Sequence, residues 1–362
     1  MKIILDNIIF FLQRSGGGSV YWAENIRRLD KNNELSLVFY EPQGSFRNIF
    51  YQDLRPKLSN TIKEEKGRAK ILSFLSFRKP IDTKHIFHSS YYRTSISKNA
   101  VNIVTIHDFM PEMFFTGLKR FYHSWRKKMA IDKADGIVCV SENTRKDLLK
   151  FYPGVASKHM TVIHLGIAKD FYKVQTARPD TFPNNYILFV GRRSHYKNFN
   201  FVIDLFCSLK KYHLMVVGEE FSGAEKILLR KLNQNFTLIN SPKNDELNIL
   251  YNHAFCLLYP STYEGFGIPV IEAMKAGCPV VALNASSIAE VSGGAALLVE
   301  NLSSSEFSQA ISSLENENLR NEIIESGFAN TLRFSWEKAS DRLVSFYKFV
   351  YDSPLEDGID PL

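Results

Sequence analysis

The sequence predicts an α/β chain of two domains, each a parallel β-sheet covered by helices. Three observations lead there. The chain has 362 residues, more than one hydrophobic core usually fills. Its apolar residues gather in short runs without alternation, as in residues 254–258, the pattern of strands buried on both faces. Several of these runs end at glycine or polar residues and lead into helical patterns, as in a βα unit.

Composition narrows the class. Apolar residues make up 45% of the chain, as in a globular protein. No stretch approaches 18 uninterrupted apolar residues, so no transmembrane helix is expected. Residues 1–14 lack a small-residue cleavage site and read as a first strand rather than a signal peptide. Cys139, Cys207, Cys256 and Cys278 lie far apart beside apolar residues, which points to core packing in a reducing cytoplasm. No D-x-D triplet and no His/Cys cluster occurs, so no metal is expected. The net charge of +7 is uneven: residues 1–175 hold 29 Lys+Arg against 16 Asp+Glu, the remainder 16 against 22. A basic half faces an anionic surface or ligand. It matches no nucleic-acid-binding motif, so nucleic acid is not an expected partner.

In chain order, residues 2–5 form the first strand. The glycine loop Gly16-Gly17-Gly18 then precedes a helical pattern over 20–29, and a glycine turn at a helix start suits phosphate as well as a plain turn. Residues 35–40 read as a strand and 41–80 as irregular. Residues 63–79 and 114–133 mix basic and aromatic side chains. The second piece predicts an amphipathic helix with aromatic and basic faces, suited to packing on its own domain or to an anionic membrane surface. Residues 86–88 and 101–106 read as parallel strands. The latter delivers His107 and Asp108 at its carboxyl end, where α/β sheets bind ligands. Residues 136–140 are a strand, and Ser141 caps the next helix.

Residues 169–185 are polar, with Pro179 and Pro183, and read as a linker. Strand 186–190 opens the second half and runs into Gly191-Arg192-Arg193-Ser194-His195-Tyr196-Lys197-Asn198. Residues 214–218 and 236–240 are further strands. After 254–258 comes Tyr263-Glu264-Gly265-Phe266-Gly267-Ile268-Pro269, with two glycines that let the backbone approach a ligand and a proline at a helix start. The helix ends at Gly277, and 278–283 start another strand. Glu264 and Glu272 flank the turn and the first helical turn. A carboxylate can accept both hydrogens of a vicinal diol. Taken singly, the two acids also suit a cap and a macrodipole contact.

Glu264 to Glu272 with G-F-G-I-P between them (E-x7-E), together with G-R-x4-K-N at 191–198, resembles the signature of the retaining GT-B glycosyltransferases of family 4. The resemblance covers nearly the whole chain. It implies a GT-B fold, two Rossmann-like domains facing across a cleft, with residues 1–175 as acceptor domain, 176–335 as donor domain and 336–362 as a helix returning to the first. It implies transfer of a hexose, mannose-type favoured, from a GDP- or UDP-sugar to a glycan or lipid-linked acceptor in cell-surface polysaccharide synthesis. The reaction would retain anomeric configuration without metal, in the cytoplasm or peripherally at the inner membrane face.

In the family the loop Arg and Lys grip the diphosphate, a role that falls here to Lys197 with Arg192 or Arg193, since both arginine positions fit. Glu264 would hold donor-sugar hydroxyls and Glu272 the ribose. Phe266, Gly267 and Ile268 would orient sugar and phosphate through backbone N–H groups. His107 would line the sugar pocket, and Gly17, Gly18 and Ser141 match the family's glycine loop and interdomain serine. At 164–165, His164 and Leu165 replace the family's proline and asparagine, and the glycine near the nucleobase is absent around 241–247, which leaves the base open. The competing readings are a GT-B sugar-nucleotide epimerase and a GT-B subunit that binds without turnover.

Overall fold

The structure, a computed structural model, describes residues 1–353. The end of the expected returning segment, residues 354–362, lies outside the described residues. The chain divides into two compact units, Met1–Gly166 with Trp336–Leu362, and Ile167–Ser335.

The first unit is built on seven strands: β1 (Lys2–Asp6), β2 (Ser36–Gln43), β3 (Thr61–Arg68), β4 (His85–Ser89), β5 (Ala100–Ile106), β6 (Gly136–Cys139) and β7 (His159–Val162). Their order is β3-β2-β1-β4-β5-β6-β7, and every pairing is parallel. The central strands are buried on both faces, which accounts for apolar residues at adjacent positions, as in Ile3-Ile4-Leu5, Ile86-Phe87 and Ile103-Val104. β3, with sequence TIKEEKGR, lies where an irregular segment is expected. Its charges suit an edge strand, where they discourage pairing with another chain, and they also hide the strand from a hydrophobicity reading. Residues 63–79 are therefore the end of β3, the short helix Ala69–Leu72 and a turn.

The second unit holds β8 (Tyr186–Val190), β9 (His213–Gly218), β10 (Phe236–Asn240), β11 (Cys256–Tyr259), β12 (Val280–Leu283) and β13 (Leu297–Val299). Their order is β10-β9-β8-β11-β12-β13, again all parallel. Ile187, Phe189, Leu214 and Leu258 of the sheet pack with Val202 and Phe206 of the helix Phe199–Phe206 in its core. In each sheet the chain builds outward from the first strand, then crosses to that strand's other side. The strand order thus reverses between β1 and β4 and between β8 and β11, and such sheets bind ligands beyond the carboxyl ends at this point. Residues 169–174, expected in a linker, are pinned to the second unit: the Tyr172 and Val174 N–H groups donate to Asn248 and Asn252, one turn apart on the helix Asn244–His253.

The helix Trp336–Asp352 packs in the first unit and buries Trp336, Tyr347 and Val350. Two glycines admit it. A Cβ on Gly166 would stand 2.3 Å from the Trp336 nitrogen. One on Gly136 would lie 2.7 Å from Ile103 and 3.0 Å from Val350.

The helix Gly117–Asp132 corrects the expected arrangement of faces. Arg126 and Lys127 point inward, 6% and 1% exposed. The Arg126 guanidinium donates to the Ser73 carbonyl and lies over the Phe74 and Tyr91 rings. Lys127 donates at 2.7 Å both to Glu112 and to the Asp108 carbonyl. The solvent side carries Leu118, Phe121, Trp125 and Met129, spaced along one stripe. Cys207 also departs from expectation and is exposed, while Cys139, Cys256 and Cys278 are buried.

Candidate functional site

The residues singled out in the second half converge where its strand order reverses. β8 ends at Val190 and the chain turns at Gly191, with φ 122. A side chain there would meet Lys197 Nζ at 3.3 Å, so glycine leaves room for the lysine. A single 3-10 turn, His195–Lys197, follows, and Asn198 takes the left-handed conformation, φ 54. Asparagine tolerates that conformation better than most residues. Its side chain donates to the Pro260 carbonyl at 2.7 Å, and Thr262 N–H donates to the Tyr196 carbonyl at 2.8 Å. These bonds stitch the loop after β8 to the loop after β11.

The outcome is a pairing of the two sequence motifs. Lys197 Nζ lies 2.9 Å from Glu264 Oε1. The contact is one of charge rather than aligned hydrogen bonding, and this buried oxygen has no hydrogen-bond donor among the described residues. The Tyr259 hydroxyl accepts from Lys197 at 3.4 Å and faces the Glu264 carboxylate.

The turn around Glu264 is held from outside by two residues that sequence reasoning missed. Glu264 N–H donates to Ser286 Oγ at 2.8 Å. Ser287 Oγ donates to the Glu264 and Phe266 carbonyls at 2.9 and 2.8 Å. Phe266 is buried edge-on against Phe334. Gly267, φ 106, starts the helix Ile268–Lys275, with Pro269 in the first turn. A Cβ on Gly267 would strike Ile288 at 2.8 Å. Glu272 sits one turn deeper than expected, since the first turn holds no acid. Burial pushes its carboxyl up to about 7, against the smaller lowering effect of a 3.2 Å hydrogen bond from Tyr251.

The two arginines differ. Arg193 is nearly buried: Nε donates to Glu225 at 2.7 Å, Nη2 donates to the Glu219 and Glu220 carbonyls, and the guanidinium lies over Phe221. It braces the β8 loop against the segment after β9. Arg192 is open to solvent, with a loose 3.8 Å contact to Glu219.

The first unit gathers a second group of residues. Gly16, φ 150, precedes the helix Gly17–Leu29, so Gly17 and Gly18 form its first turn. A Cβ on Gly18 would meet Gln13 Nε2 at 3.8 Å and His107 Nε2 at 4.0 Å. Gln13 Nε2 is buried and has no partner among the described residues. His107 follows β5 and packs edge-on against Tyr21. Burial, only partly offset by Asp108, lowers its imidazole to about 4, so the ring is neutral at physiological pH. Ser141 leaves β6, the strand next to β5, at the same carboxyl end, and is fully buried as the cap of the helix Glu142–Phe151, where Oγ accepts from Thr144 N–H at 3.0 Å. Among the described residues no group of three or more His, Cys, Asp or Glu side chains gathers to hold a metal.

Comparison with known proteins agrees with this architecture. Residues 172–329 match the family model described as Glycosyl transferases group 1, and residues 15–171 the model of Glycosyltransferase Family 4. O-antigen chain mannosyltransferase B of Escherichia coli is 25% identical over 271 residues, 69% of this chain and 68% of that protein. O-antigen chain mannosyltransferase RfbU of Salmonella typhimurium is 29% identical over 222 residues, 59% of this chain and 60% of that protein. Among solved structures, Anabaena HepE in complex with UDP-glucose superposes with a TM-score of 0.70 at 15% identity, covering 96% of this chain and 100% of that one. With both units matched, and with two doubly wound parallel sheets of which the second carries the paired motifs, the chain belongs to the family 4 glycosyltransferases of the GT-B fold and is an enzyme of glycosyl transfer.

Proposed function

We propose that this enzyme transfers a mannose-type hexose from a GDP- or UDP-sugar to a lipid-linked glycan acceptor, with retention and without metal, in cell-surface polysaccharide synthesis. The observation that carries the reading is the Lys197–Glu264 pair beside the glycine turn at the reversal point of the second sheet. Lys197 supplies positive charge for the departing diphosphate, and preorganised charge of this kind accelerates bond cleavage. Arg192 joins it, because Arg193 is already committed to Glu225 and two carbonyls. Glu264 Oε1, paired in charge with Lys197 but without a hydrogen-bond donor among the described residues, accepts a donor-sugar hydroxyl, and Glu272 accepts the ribose diol. Gly267 and Ile268 orient phosphate at the start of their helix. Within the first unit, His107 beside the Gly16–Gly18 turn is the candidate substrate contact.

Retention ordinarily uses a carboxylate nucleophile. Glu264 is paired with Lys197, so the acceptor hydroxyl instead attacks on the face the diphosphate leaves. The bond from C1 to the phosphate oxygen breaks as the new one forms, and the hydroxyl proton passes to the departing phosphate. The two mannosyltransferase relatives support the sugar, and the HepE complex keeps UDP among the bases to be tried.

The acceptor reading rests on the first unit. Leu118, Phe121 and Trp125 are 87%, 68% and 47% exposed in one stripe, with Phe74 and Leu75 also exposed. Exposed Lys70, Lys119, Arg120, Lys128 and Lys133 belong to the same two segments. Apolar side chains at the headgroup boundary flanked by cations fit an anionic leaflet, where a lipid-linked acceptor resides.

The test is a panel of GDP- and UDP-hexoses incubated with enzyme alone and with lipid-linked acceptor. Slow release of free hexose, and transfer giving the donor's own anomeric configuration by NMR, support the reading. Binding without hydrolysis or transfer for every donor, or an inverted product, overturns it.

A further inference from the structure

Both glutamates of the E-x7-E segment meet the hydroxyl of a buried tyrosine. Tyr251, on the helix Asn244–His253, is fully buried, and its hydroxyl donates to Glu272 Oε2 at 3.2 Å. Tyr259 ends β11 and is 2% exposed; its hydroxyl accepts from Lys197 Nζ at 3.4 Å and faces Glu264. The Tyr259 hydroxyl thus accepts from the lysine and lies beside the carboxylate that the lysine pairs with. Each ring is also anchored independently of its hydroxyl. Tyr251 packs edge-on against Phe171 at 5.9 Å, and Lys197 Nζ lies 5.2 Å from the centre of the Tyr259 ring.

We propose that Tyr251 and Tyr259 are positioning residues of the transfer reaction: Tyr251 fixes Glu272 for the donor's ribose, and Tyr259 fixes the Lys197–Glu264 pair for the departing diphosphate and the sugar. The proposal rests on the roles given above to the two glutamates. A buried carboxylate with one oxygen tied to a tyrosine keeps its other lone pairs aimed in fixed directions, so less ordering remains when a diol arrives. A hydroxyl beside both members of a directly paired ammonium and carboxylate fixes the lysine's direction, while Glu264 Oε1, in charge contact with Lys197, still lacks a hydrogen-bond donor among the described residues. Neither tyrosine is needed to fill space in a way phenylalanine could not, so their hydroxyls serve the polar groups they touch.

The surroundings of Glu272 give this a signature beyond stability. Among the described residues two effects act on Glu272: burial, which disfavours its ionised form and raises its pKa, and the Tyr251 hydroxyl, which favours the ionised form and lowers it. Cys278, following the same helix, acts on Tyr251 rather than on Glu272. Removing the hydroxyl therefore moves Glu272 further up.

The experiment uses the full chain with Tyr251→Phe, Tyr259→Phe, Glu272→Gln and Glu264→Gln, each checked for a cooperative melt, with kcat and donor KM measured from pH 5.5 to 8.5. Tyr251→Phe is expected to raise donor KM about 10-fold, the scale of one hydrogen bond to a charged group, with kcat little changed. The acid limb of its KM profile should shift to higher pH. Tyr259→Phe is expected to lower kcat about 10-fold, and to be nearly silent in a Glu264→Gln background, since coupled residues are non-additive. If Glu272→Gln raises KM while Tyr251→Phe leaves KM and its pH limb unmoved, Tyr251 is structural and the proposal for it fails, with the role of Glu272 intact. If Tyr259→Phe costs the same with and without Glu264→Gln, that half fails. If Glu272→Gln and Glu264→Gln are themselves without effect, the failure lies in the reading of the site and carries the proposal with it.

Discussion

Lys197 Nζ stands 2.9 Å from Glu264 Oε1, so the cation assigned to the diphosphate is held by an anion of its own protein. Both side chains are mostly shielded from water. Lys197→Ala should lower kcat by about 10²-fold or more, the cost of losing one preorganised contact to developing charge. It also leaves Glu264 without its counter-charge, for a loss of about 1–3 kcal/mol in stability. The double variant Lys197→Ala/Glu264→Gln should recover stability and remain inactive. Urea unfolding beside turnover assays checks both; near-wild-type kcat in a folded Lys197→Ala protein would remove the lysine from the mechanism.

The two glutamates should separate kinetically. The ribose is remote from the breaking bond, so Glu272→Gln is expected to raise donor KM with kcat nearly unchanged, the mark of lost uniform binding. Glu264→Gln touches the reacting sugar and should lower kcat. Two variants that alter only KM would show that the division of roles is mistaken.

Glu272 also links binding to stability through pH. Its carboxyl is raised from the ordinary 4.5 to about 7 by burial, so the folded state holds its proton more tightly than the unfolded state does. Stability from this group is present at low pH and is lost as pH rises through that window, because the folded state binds more protons there. Glu272→Gln should therefore gain melting temperature over the wild type at pH 8 and little at pH 5. Equal differences at both values would mean that Glu272 is ionised across the whole range.

Chelation should leave activity intact. The candidate site offers Lys197, Arg192 and a helix N-terminus for the diphosphate. Turnover should be the same with and without EDTA. Activity that vanishes with chelator and returns with Mg²⁺ or Mn²⁺ would replace electrostatic stabilisation by side chains with metal chemistry.

Membrane attachment should follow the exposed residues and spare the buried cations. Lys119, Arg120 and Lys128 changed together to Glu should reduce co-sedimentation with anionic vesicles, and added salt should do the same by shortening the Debye length. Phe121→Ser with Trp125→Ser should reduce it as well, while hydrolysis of donor persists. Arg126→Glu and Lys127→Glu are unsuitable probes, because they would break the internal bonds to Ser73 and Glu112. Equal binding to neutral and anionic vesicles, or none to either, would favour a soluble acceptor.

Much of the fold was legible because parallel strands buried on both faces are rich in β-branched and other apolar residues, as in β5 and β8. β3 escaped because an edge strand is written in charge. The loop glycines announced their turns, Gly191 and Gly267, since positive φ and close approach leave few other residues acceptable. The direction of side chains on a helix was less legible. Arg126 and Lys127 read as surface charges, yet Glu112 and the Ser73 and Asp108 carbonyls draw them inward through contacts distant in sequence. Tyr251, Tyr259, Ser286 and Ser287 were missed for the same reason: each is ordinary in its own segment and meets the site only through the tertiary fold. A signal existed for one of them, since a tyrosine ending an otherwise aliphatic strand next to a glycine turn carries a hydroxyl that must find a partner when buried.

The meeting of Gly166 with Trp336 has a consequence for how the polypeptide is made. Gly166 is the last residue of the first unit's leading part, and Trp336 opens its closing part. The second unit is thus an insertion, contiguous in sequence, while the first is split and lacks its covering helix until translation has passed residue 336. The usual order of synthesis, in which the amino-terminal domain is finished first, is reversed. On the ribosome the second unit can close its core while the leading part of the first still exposes Gly136 and the face of β4 and β5 that the helix Trp336–Asp352 covers. A chain ending at residue 335 and released from the ribosome should show a protease-resistant second unit and a cleavable first one.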